Sequence, residues 1–174
     1  MAKLGDYYAN GVEVAGMPRP DIDELVDLIP AGGGTMHLAI LQQPYLDLIA
    51  DGTKTIESRF NTKRAAPFGK IAVGDLVLLK EPGKPVTNYF FAAAVILIDL
   101  AEEPLALVRQ QYGAGICAQN EQDFWQSKAD SRYCTLVEVG EKGQITPALD
   151  VTKKDQRGWV TFTRANDDIL NRLF

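Results

Sequence analysis

The stretch DGTKTIESRF, residues 51–60, decides how the rest of the chain is interpreted. Lys54, Glu57 and Arg59 fall in a run with the β-branched and aromatic residues that are typical of a β-strand. Because side chains alternate along a strand, Glu57 and Arg59 share one face with Thr55. The sequence therefore predicts a strand that carries a cluster of ionisable groups.

Three ionisable side chains this close together are costly to bury unless they pair. Pairing leaves one net positive charge, which suits a phosphate or a polarised carbonyl group. A desolvated Lys54 beside Arg59 would have a lowered pKa and would serve as a base or nucleophile, although Glu57 opposes that shift. A structural ion-pair network that closes a barrel is the alternative interpretation.

The surrounding residues form a basic patch in an acidic protein. The chain has a net charge of −5, whereas residues 52–70 have a net charge of +4, to which Lys63 and Arg64 contribute. The overall charge argues against non-specific binding of nucleic acid by the whole surface. A local excess of positive charge is what an anionic partner at one site needs. A solvated basic loop is the other explanation.

Composition excludes several classes of protein. A chain of 174 residues fits one domain with an additional segment. No apolar run is long enough to cross a membrane, and the first residues lack the apolar core of a signal peptide. Two cysteines and one histidine offer no metal-binding spacing and no catalytic triad. We therefore expect a cytoplasmic protein with no cofactor, no metal and no membrane partner.

Two regions are predicted along the chain. Residues 1–35 form an acidic extension, in which PDIDELVDLI predicts a short helix capped by Asp21 or Asp23 and PAGGG predicts a hinge. Residues 36–174 form the main domain. A protein partner that binds residues 1–35 is one possibility that this acidic segment raises.

The main domain is predicted to be mixed α+β and mainly β. Strands are predicted in MHLAIL, KTIESRF, VGDLVLLKEPG, NYFFAAAVILIDL, RYCTLVEVGE, QITPALDV and GWVTFT. Short helices are predicted in PYLDLIADG, AEEPLALVRQQYG and NEQDFWQSK, and a closing helix in NDDILNRLF. This order does not alternate strictly between strand and helix, so a small, mostly antiparallel β-barrel of about six strands with flanking short helices fits best.

The segment QQPYLDLIADGTKTIESRF resembles the signature of the ASCH family, the domain named after activating signal cointegrator homology. That signature, GxKxxExR, is filled at every fixed position from Gly52 to Arg59. The resemblance extends over residues 36–163 and includes the strand GDLVLL at residues 74–79. It implies a PUA-like β-barrel with a cleft, lined by the motif residues, that binds RNA or nucleotides.

The family that the motif resembles is functionally mixed. It contains RNA-binding or coactivator modules, ribonucleases, and a bacterial branch that hydrolyses N4-acetylcytidine. In that branch a lysine at the position of Lys54 acts with a threonine at the position of Glu57 and with a separate glutamate. Here Glu57 replaces the threonine, so the required hydroxyl is missing. Glu102, Glu103 and Glu121 are all candidates for the separate acid, and nothing in the sequence chooses among them.

Three functions therefore stay open. The leading one is binding of RNA or a nucleotide-like ligand through the following residues: Gln43, Tyr45, Lys54, Glu57, Arg59, Lys63 and Arg64. The second is hydrolysis of a modified nucleobase or of RNA, with Lys54 and Glu57 as the catalytic pair. The third is a non-catalytic protein-interaction domain. Lys154 and Arg157, just before Trp159, are weaker candidates for completing a phosphate site from a second loop.

Overall fold

The computed structural model describes residues 35–151 and 157–163, together with residues 8–9, 12–13, 21, 24 and 27. Two short strands, β1 (Tyr8–Ala9) and β2 (Val12–Glu13), pair in antiparallel fashion. The predicted hinge, most of the predicted N-terminal helix and the predicted closing helix lie outside the described residues.

Two described residues of the acidic extension form a reciprocal cap. The backbone N–H of Glu24 donates to Asp21 Oδ1 at 2.9 Å, and the backbone N–H of Asp21 donates to Glu24 Oε2 at 3.1 Å. This arrangement is the capping box of a helix N-terminus. Of the two predicted caps, Asp21 is the residue that makes this pair of bonds.

The main domain follows the predicted order of elements. Its described strands and helices are β3 (Thr35–Ile40), α1 (Tyr45–Ala50), β4 (Ile56–Asn61), β5 (Leu76–Lys80), β6 (Val86–Asp99), α2 (Leu105–Ile116), α3 (Gln122–Gln126), β7 (Tyr133–Leu149) and β8 (Trp159–Thr163). Each helix is short, and strands dominate, so the prediction of a mainly β domain with flanking short helices is confirmed.

Six strands form one sheet in the order β4-β7-β6-β5-β3-β8. The neighbours β3 and β5 are parallel, and the other neighbouring pairs are antiparallel. The sheet curls into a half-barrel, which leaves β4 and β8 as its two edges. The open seam between these edges is where the site described below lies.

One boundary prediction is wrong. RYCTLVEVGE and QITPALDV were expected to form separate strands, but residues 133–149 form one long strand that follows β6. Gly140, inside the first of these two segments, marks a close backbone approach, because a Cβ atom there would lie 2.7 Å from the carbonyl oxygen of Phe91. Register shifts between β6 and β7 near this point absorb the irregularity.

Apolar side chains cover both faces of the sheet. On one face, the sheet side chains that pack with Ile49 of α1 include Ala39, Val77, Phe90, Val137 and Trp159. On the opposite face, one cluster is built around Met36, Leu38, Leu78 and Tyr89. The helices α2 and α3 close a third cluster over β4, β6 and β7, with Ile116, Trp125 and Leu136 at its centre. The edge strand β4 is thus held firmly by helices on one side.

Within the described ranges, no helix is both long enough and apolar enough to span a membrane.

Candidate ligand cleft at the open seam of the sheet

The turn between α1 and β4 sets the position of the motif. Helix α1 ends at Ala50, and Gly52 follows with φ of 86°, a left-handed conformation that favours glycine. Lys142 Nζ donates to the carbonyl of Ala50 at 3.2 Å, which satisfies one of the last carbonyl groups of the helix. The backbone N–H of Lys54 then donates to Leu48 O at 2.8 Å, so the chain leaves the helix in a fixed direction.

Lys54 is almost completely buried, with 2% of its surface exposed. Its ammonium group donates to Ile56 O at 2.6 Å and to Ile116 O at 3.1 Å, and it lies 3.5 Å from Glu57 Oε2. Three contacts match the three donors of an ammonium group. Burial lowers the pKa of Lys54, and the adjacent carboxylate of Glu57 opposes that shift.

The end of α2 approaches β4 closely enough to reach this lysine. At Gly115, an added Cβ atom would lie 2.7 Å from Ile56 Cδ1, so a larger residue would force the Ile56 side chain or the helix to shift. The carbonyl that Lys54 contacts, that of Ile116, belongs to the last residue of α2, where the helix dipole favours a positive charge. Lys54 therefore ties the helix to the strand.

Glu57 connects the two cations of the motif. Its side chain is 3% exposed, and its carboxylate accepts a hydrogen bond from Arg59 Nε at 2.9 Å through Oε1, while Oε2 faces Lys54. One carboxylate is thus shared by two positive groups. The cluster carries one net positive charge, and because Lys54 is enclosed, that charge is available at Arg59, whose side chain is 18% exposed.

Arg59 bridges the seam between the two edges of the sheet. From β4, its Nη1 donates to Gly158 O at 3.1 Å and its Nη2 donates to Ile40 O at 3.0 Å. The guanidinium carbon also lies 5.2 Å from the ring centre of Trp159, within the range of a cation–π contact. One side chain thus connects the two sides of the seam, where β4 and β8 form no backbone hydrogen bonds with each other.

Arginine has five N–H donors, and Arg59 uses three of them in these contacts. Among the described residues, no group accepts from the remaining donor on Nη1 or on Nη2. A guanidinium with two unused donors on its terminal nitrogens is suited to an anion such as phosphate or carboxylate.

The backbone edge of β4 also faces the seam. Val139 N–H donates to Thr55 O at 2.9 Å, so the odd-numbered residues of β4 direct their backbone groups toward β7. By alternation, the backbone N–H and C=O groups of Ser58 and Phe60 point away from the sheet. No described residue pairs with these groups. They form a short unpaired strand edge beside Arg59.

A cleft of about 560 Å³ opens at this edge. Its lining residues are Ser58, Arg59, Phe60, Asn61, Ala65, Ala66, Phe124, Lys128, Arg157, Gly158 and Trp159. Three of these residues are basic, and none of the described lining residues is acidic. Burial and the positive charge of Arg59 lower the pKa of Lys128, so the cleft concentrates positive charge in a partly desolvated space.

Of the seven predicted binding residues, Arg59 is the one that lines this cleft. Lys54 and Glu57 lie behind it and are buried. Lys63 and Arg64 are exposed on the following loop. The guanidinium carbon of Arg64 lies 5.4 Å from the centre of the Tyr133 ring. Binding roles for these four residues stay predictions.

Gln43 and Tyr45 lie at the start of α1, away from the lining. The Gln43 side chain donates to Asp47 Oδ1 at 3.0 Å and accepts from the Asp47 backbone N–H at 3.3 Å, so it supports the first turn of the helix. The Tyr45 ring lies 5.5 Å from Lys54 Nζ, and burial, followed by the negative charge of Glu121, raises the pKa of Tyr45. Ligand binding by either residue remains a prediction.

Lys128 and Phe124 line the cleft but are not among the residues predicted from the sequence. Arg157, a weaker candidate in the sequence, lines it as well. Lys128 Nζ lies 5.0 Å from the ring centre of Phe124, four residues earlier, and both line the cleft. An aromatic residue followed four positions later by a lysine at the end of a predicted helix was the available signal. Lys154 lies outside the described residues.

The fold and the site define a class of protein: a PUA-like half-barrel whose open seam is bridged by an arginine side chain. The profile of the ASCH domain matches residues 40–153. That match covers more than half of the chain, and the chain belongs to the ASCH domain family. No curated protein sequence matches it.

Solved structures with a similar fold come from Zymomonas mobilis. Its ASCH protein superimposes with a TM-score of 0.57 at 17% sequence identity, covering 79% of this chain and 94% of that one. A serine-to-alanine mutant of the same protein gives 0.57 at 14% identity, covering 79% and 95%. A tyrosine-to-phenylalanine mutant gives 0.56 at 15% identity, covering 79% and 97%. At these identities the likeness concerns the fold.

Proposed function

We propose that this protein binds single-stranded RNA or a nucleotide in the seam cleft. The observation that carries the proposal is the convergence of Arg59, Lys128 and Arg157 on one cleft in a protein of net charge −5. A strong local excess of positive charge on an acidic protein indicates one anionic ligand site instead of a generally basic surface. Membership of the ASCH family, whose domains generally resemble RNA-binding domains, supports the same conclusion.

The other lining groups suit the remaining parts of a nucleotide. Phe60 and Phe124 are half-buried in the cleft wall and offer aromatic surface to a base. The outward backbone groups of Ser58 and Phe60, with the Asn61 side chain, offer donors and acceptors to a base edge. Cations for phosphate, aromatic rings for stacking and a polar edge for recognition are the combination that single-stranded nucleic acid requires.

The size of the cleft favours an unpaired nucleotide over a duplex. Sites for small ligands occupy about 300–1,000 Å³, and the cleft falls inside that range. The strand edge at Ser58 lies inside the seam, and a paired base in a duplex would have to leave its helix to reach it. We therefore expect single-stranded RNA to bind more tightly than a duplex of the same sequence.

The decisive experiment measures fluorescence anisotropy of a labelled single-stranded RNA over a series of salt concentrations. Lys128→Ala should weaken binding and reduce the salt slope by about one, because one phosphate contact is lost. Lys70→Ala is the matched control, since exposed Lys70 belongs to the same basic region but does not line the cleft. Equal affinities and slopes for the two variants would contradict the proposal.

A hydrolase that uses Lys54 and Glu57 is the second candidate, and the lowered pKa of Lys54 is the observation in its favour. Burial counts against it, because Lys54 is 2% exposed and its three donors are occupied. Incubation with RNA and with acylated nucleosides tests it: product that disappears in Lys54→Ala would support catalysis. A protein partner for residues 1–35 remains a separate prediction.

A further inference from the structure

A buried polar chain runs from the inside of the sheet to the cleft. His37 on β3 has no exposed surface, and its Nε2 lies 3.1 Å from Asp75 Oδ2. On the other side of the ring, Trp159 Nε1 donates to His37 Nδ1 at 3.1 Å. Asp75 is fixed in turn by the backbone N–H groups of Thr35 at 3.0 Å and Ala72 at 2.8 Å.

These partners determine which nitrogen of His37 carries the proton. An indole N–H is a donor only, so Nδ1 must accept from Trp159. The Asp75 carboxylate is an acceptor, so Nε2 must donate to it. The neutral ring with its proton on Nε2 satisfies both partners, and the other neutral form satisfies neither.

The far end of this chain of hydrogen-bonded side chains contacts Arg59, the residue proposed to bind the anion. The Trp159 indole is 3% exposed, so it does not offer a stacking surface to a ligand. Its ring instead lies against the Arg59 guanidinium, 5.2 Å from the ring centre. The position of the indole therefore limits where the guanidinium can lie.

We propose that His37 is a positioning residue that holds Trp159, and through it Arg59, in the geometry that binds an anion. This inference rests on the proposed function of the cleft. His37 itself touches no ligand. Its role requires the acceptor at Nδ1, to which the Trp159 N–H donates.

The Nδ1 atom of His37 has a second neighbour. Thr161 Oγ1 on β8 also lies 3.1 Å from Nδ1, beside the Trp159 N–H that donates to the same atom. The residue paired with His37 on β5, Val77, is apolar.

Two substitutions separate positioning from general stability. His37→Gln keeps one donor for Asp75 and one acceptor for Trp159, whereas His37→Phe keeps a ring and removes both. Loss of a buried hydrogen-bond partner of this kind predicts that His37→Phe weakens binding of the labelled RNA by about fivefold or more, and that His37→Gln restores most of it. Unchanged affinity in a folded His37→Phe protein, with Lys128→Ala impaired, would overturn the inference and leave the proposed function standing.

Nuclear magnetic resonance gives an internal control for the same variants. Trp125 Nε1 donates to Ala118 O at 2.7 Å, independently of His37, so its indole signal should stay in place. The Trp159 indole signal should shift in His37→Phe. If neither His37→Phe nor Lys128→Ala changes RNA binding, the proposed function itself fails.

A second variant supplies a test that does not depend on the folding of His37→Phe. Trp159→Phe keeps an aromatic ring beside Arg59 and removes the N–H that donates to His37 Nδ1. It should weaken binding of the labelled RNA by about fivefold or more, because the ring loses the bond that orients it. Wild-type affinity in a folded Trp159→Phe protein would overturn the inference.

Discussion

Glu57 accepts a hydrogen bond from Arg59 Nε at 2.9 Å while its own side chain is 3% exposed. Its second oxygen faces Lys54 at 3.5 Å, so one buried acid balances two cations. Glu57→Gln should therefore destabilise the fold by about 3–5 kcal/mol, because it leaves buried positive charge without its partner. Urea unfolding followed by circular dichroism measures the loss.

The matched control is Glu81→Gln. The Glu81 carboxylate pairs with Lys84 at 2.8 Å, and the lysine side chain is 62% exposed. Exposed ion pairs contribute little to stability, so the unfolding midpoint should hardly move. Similar losses for the two variants would show that the buried cluster is not a special source of stability.

Lys54→Met should act on stability more than on the salt dependence of binding. The substitution keeps an apolar chain of similar length but removes the contacts to Ile56 O, Ile116 O and Glu57. Breaking a buried ion pair in this way costs about 3–5 kcal/mol. Lys70→Met, on an exposed lysine, is the control for the loss of a charge. A Lys54→Met protein of normal stability that loses one unit of salt slope would instead restore Lys54 as a direct phosphate contact.

The strands around the motif were predictable because their signals are local. The alternation of Glu57 and Arg59 against Ile56 and Phe60 places the pair on one face, and the structure keeps that separation. The glycine at 52 likewise marks the end of a helix in the sequence, and it adopts a positive φ. Short-range periodicity and turn chemistry carry this information.

The partners of Arg59 were not predictable for a physical reason. Gly158 and Ile40 meet the guanidinium through backbone carbonyl groups, which every residue type possesses. Sequence patterns therefore contain no trace of these contacts. The burial of Lys54 depends in the same way on the carbonyl of Ile116, which reaches it because α2 packs closely on β4.

The two cysteines should differ strongly in reactivity. Burial raises the pKa of the Cys134 thiol to about 12, whereas Cys117 is half-buried at the end of α2. Because the thiolate is the reactive form, iodoacetamide should modify Cys117 first at about pH 8 in the folded protein. Mass spectrometry of the digested protein identifies the modified residue. Equal modification of Cys134 before unfolding would contradict its burial.

The same thiol contributes to the pH dependence of stability. The pKa of Cys134 is higher in the folded state than in the unfolded state, so its contribution is fully present below the unfolded pKa. It is lost as the pH rises through the interval that ends at about 12. The free energy of unfolding should therefore fall over that alkaline interval, and it should fall less steeply in the Cys134→Ala protein. Matching slopes for the two proteins in urea unfolding at several pH values would argue against this account.

Gly52 should be replaceable by asparagine more readily than by valine. Its φ of 86° strains a β-branched residue, and a left-handed conformation costs about 1–2 kcal/mol for an ordinary side chain. Asparagine tolerates this region better than other residues with a side chain. Since the nearest group to an added Cβ atom is Lys142 Nζ at 3.7 Å, backbone strain and not a clash separates the two variants. Equal unfolding temperatures for Gly52→Val and Gly52→Asn would contradict this explanation.

Arg59→Lys should weaken both the fold and RNA binding although it preserves the charge. The guanidinium spans from Glu57 to the carbonyls of Gly158 and Ile40, and a lysine ammonium cannot reach three acceptors spread across the seam. Hydrogen bonds to charged groups contribute about 1.5–3 kcal/mol each, so the loss should be measurable by urea unfolding.

The matched control for this substitution is Lys128→Arg, which also preserves charge. Lys128 lines the cleft and has no described carboxylate partner, so an arginine there should keep RNA affinity and stability close to wild type. Arg59→Lys is expected to lose affinity at every salt concentration, because the anion-binding donors are displaced as well as the seam contacts. Wild-type affinity in a stable Arg59→Lys protein would mean that charge alone, and not the arginine bridge, prepares the cleft.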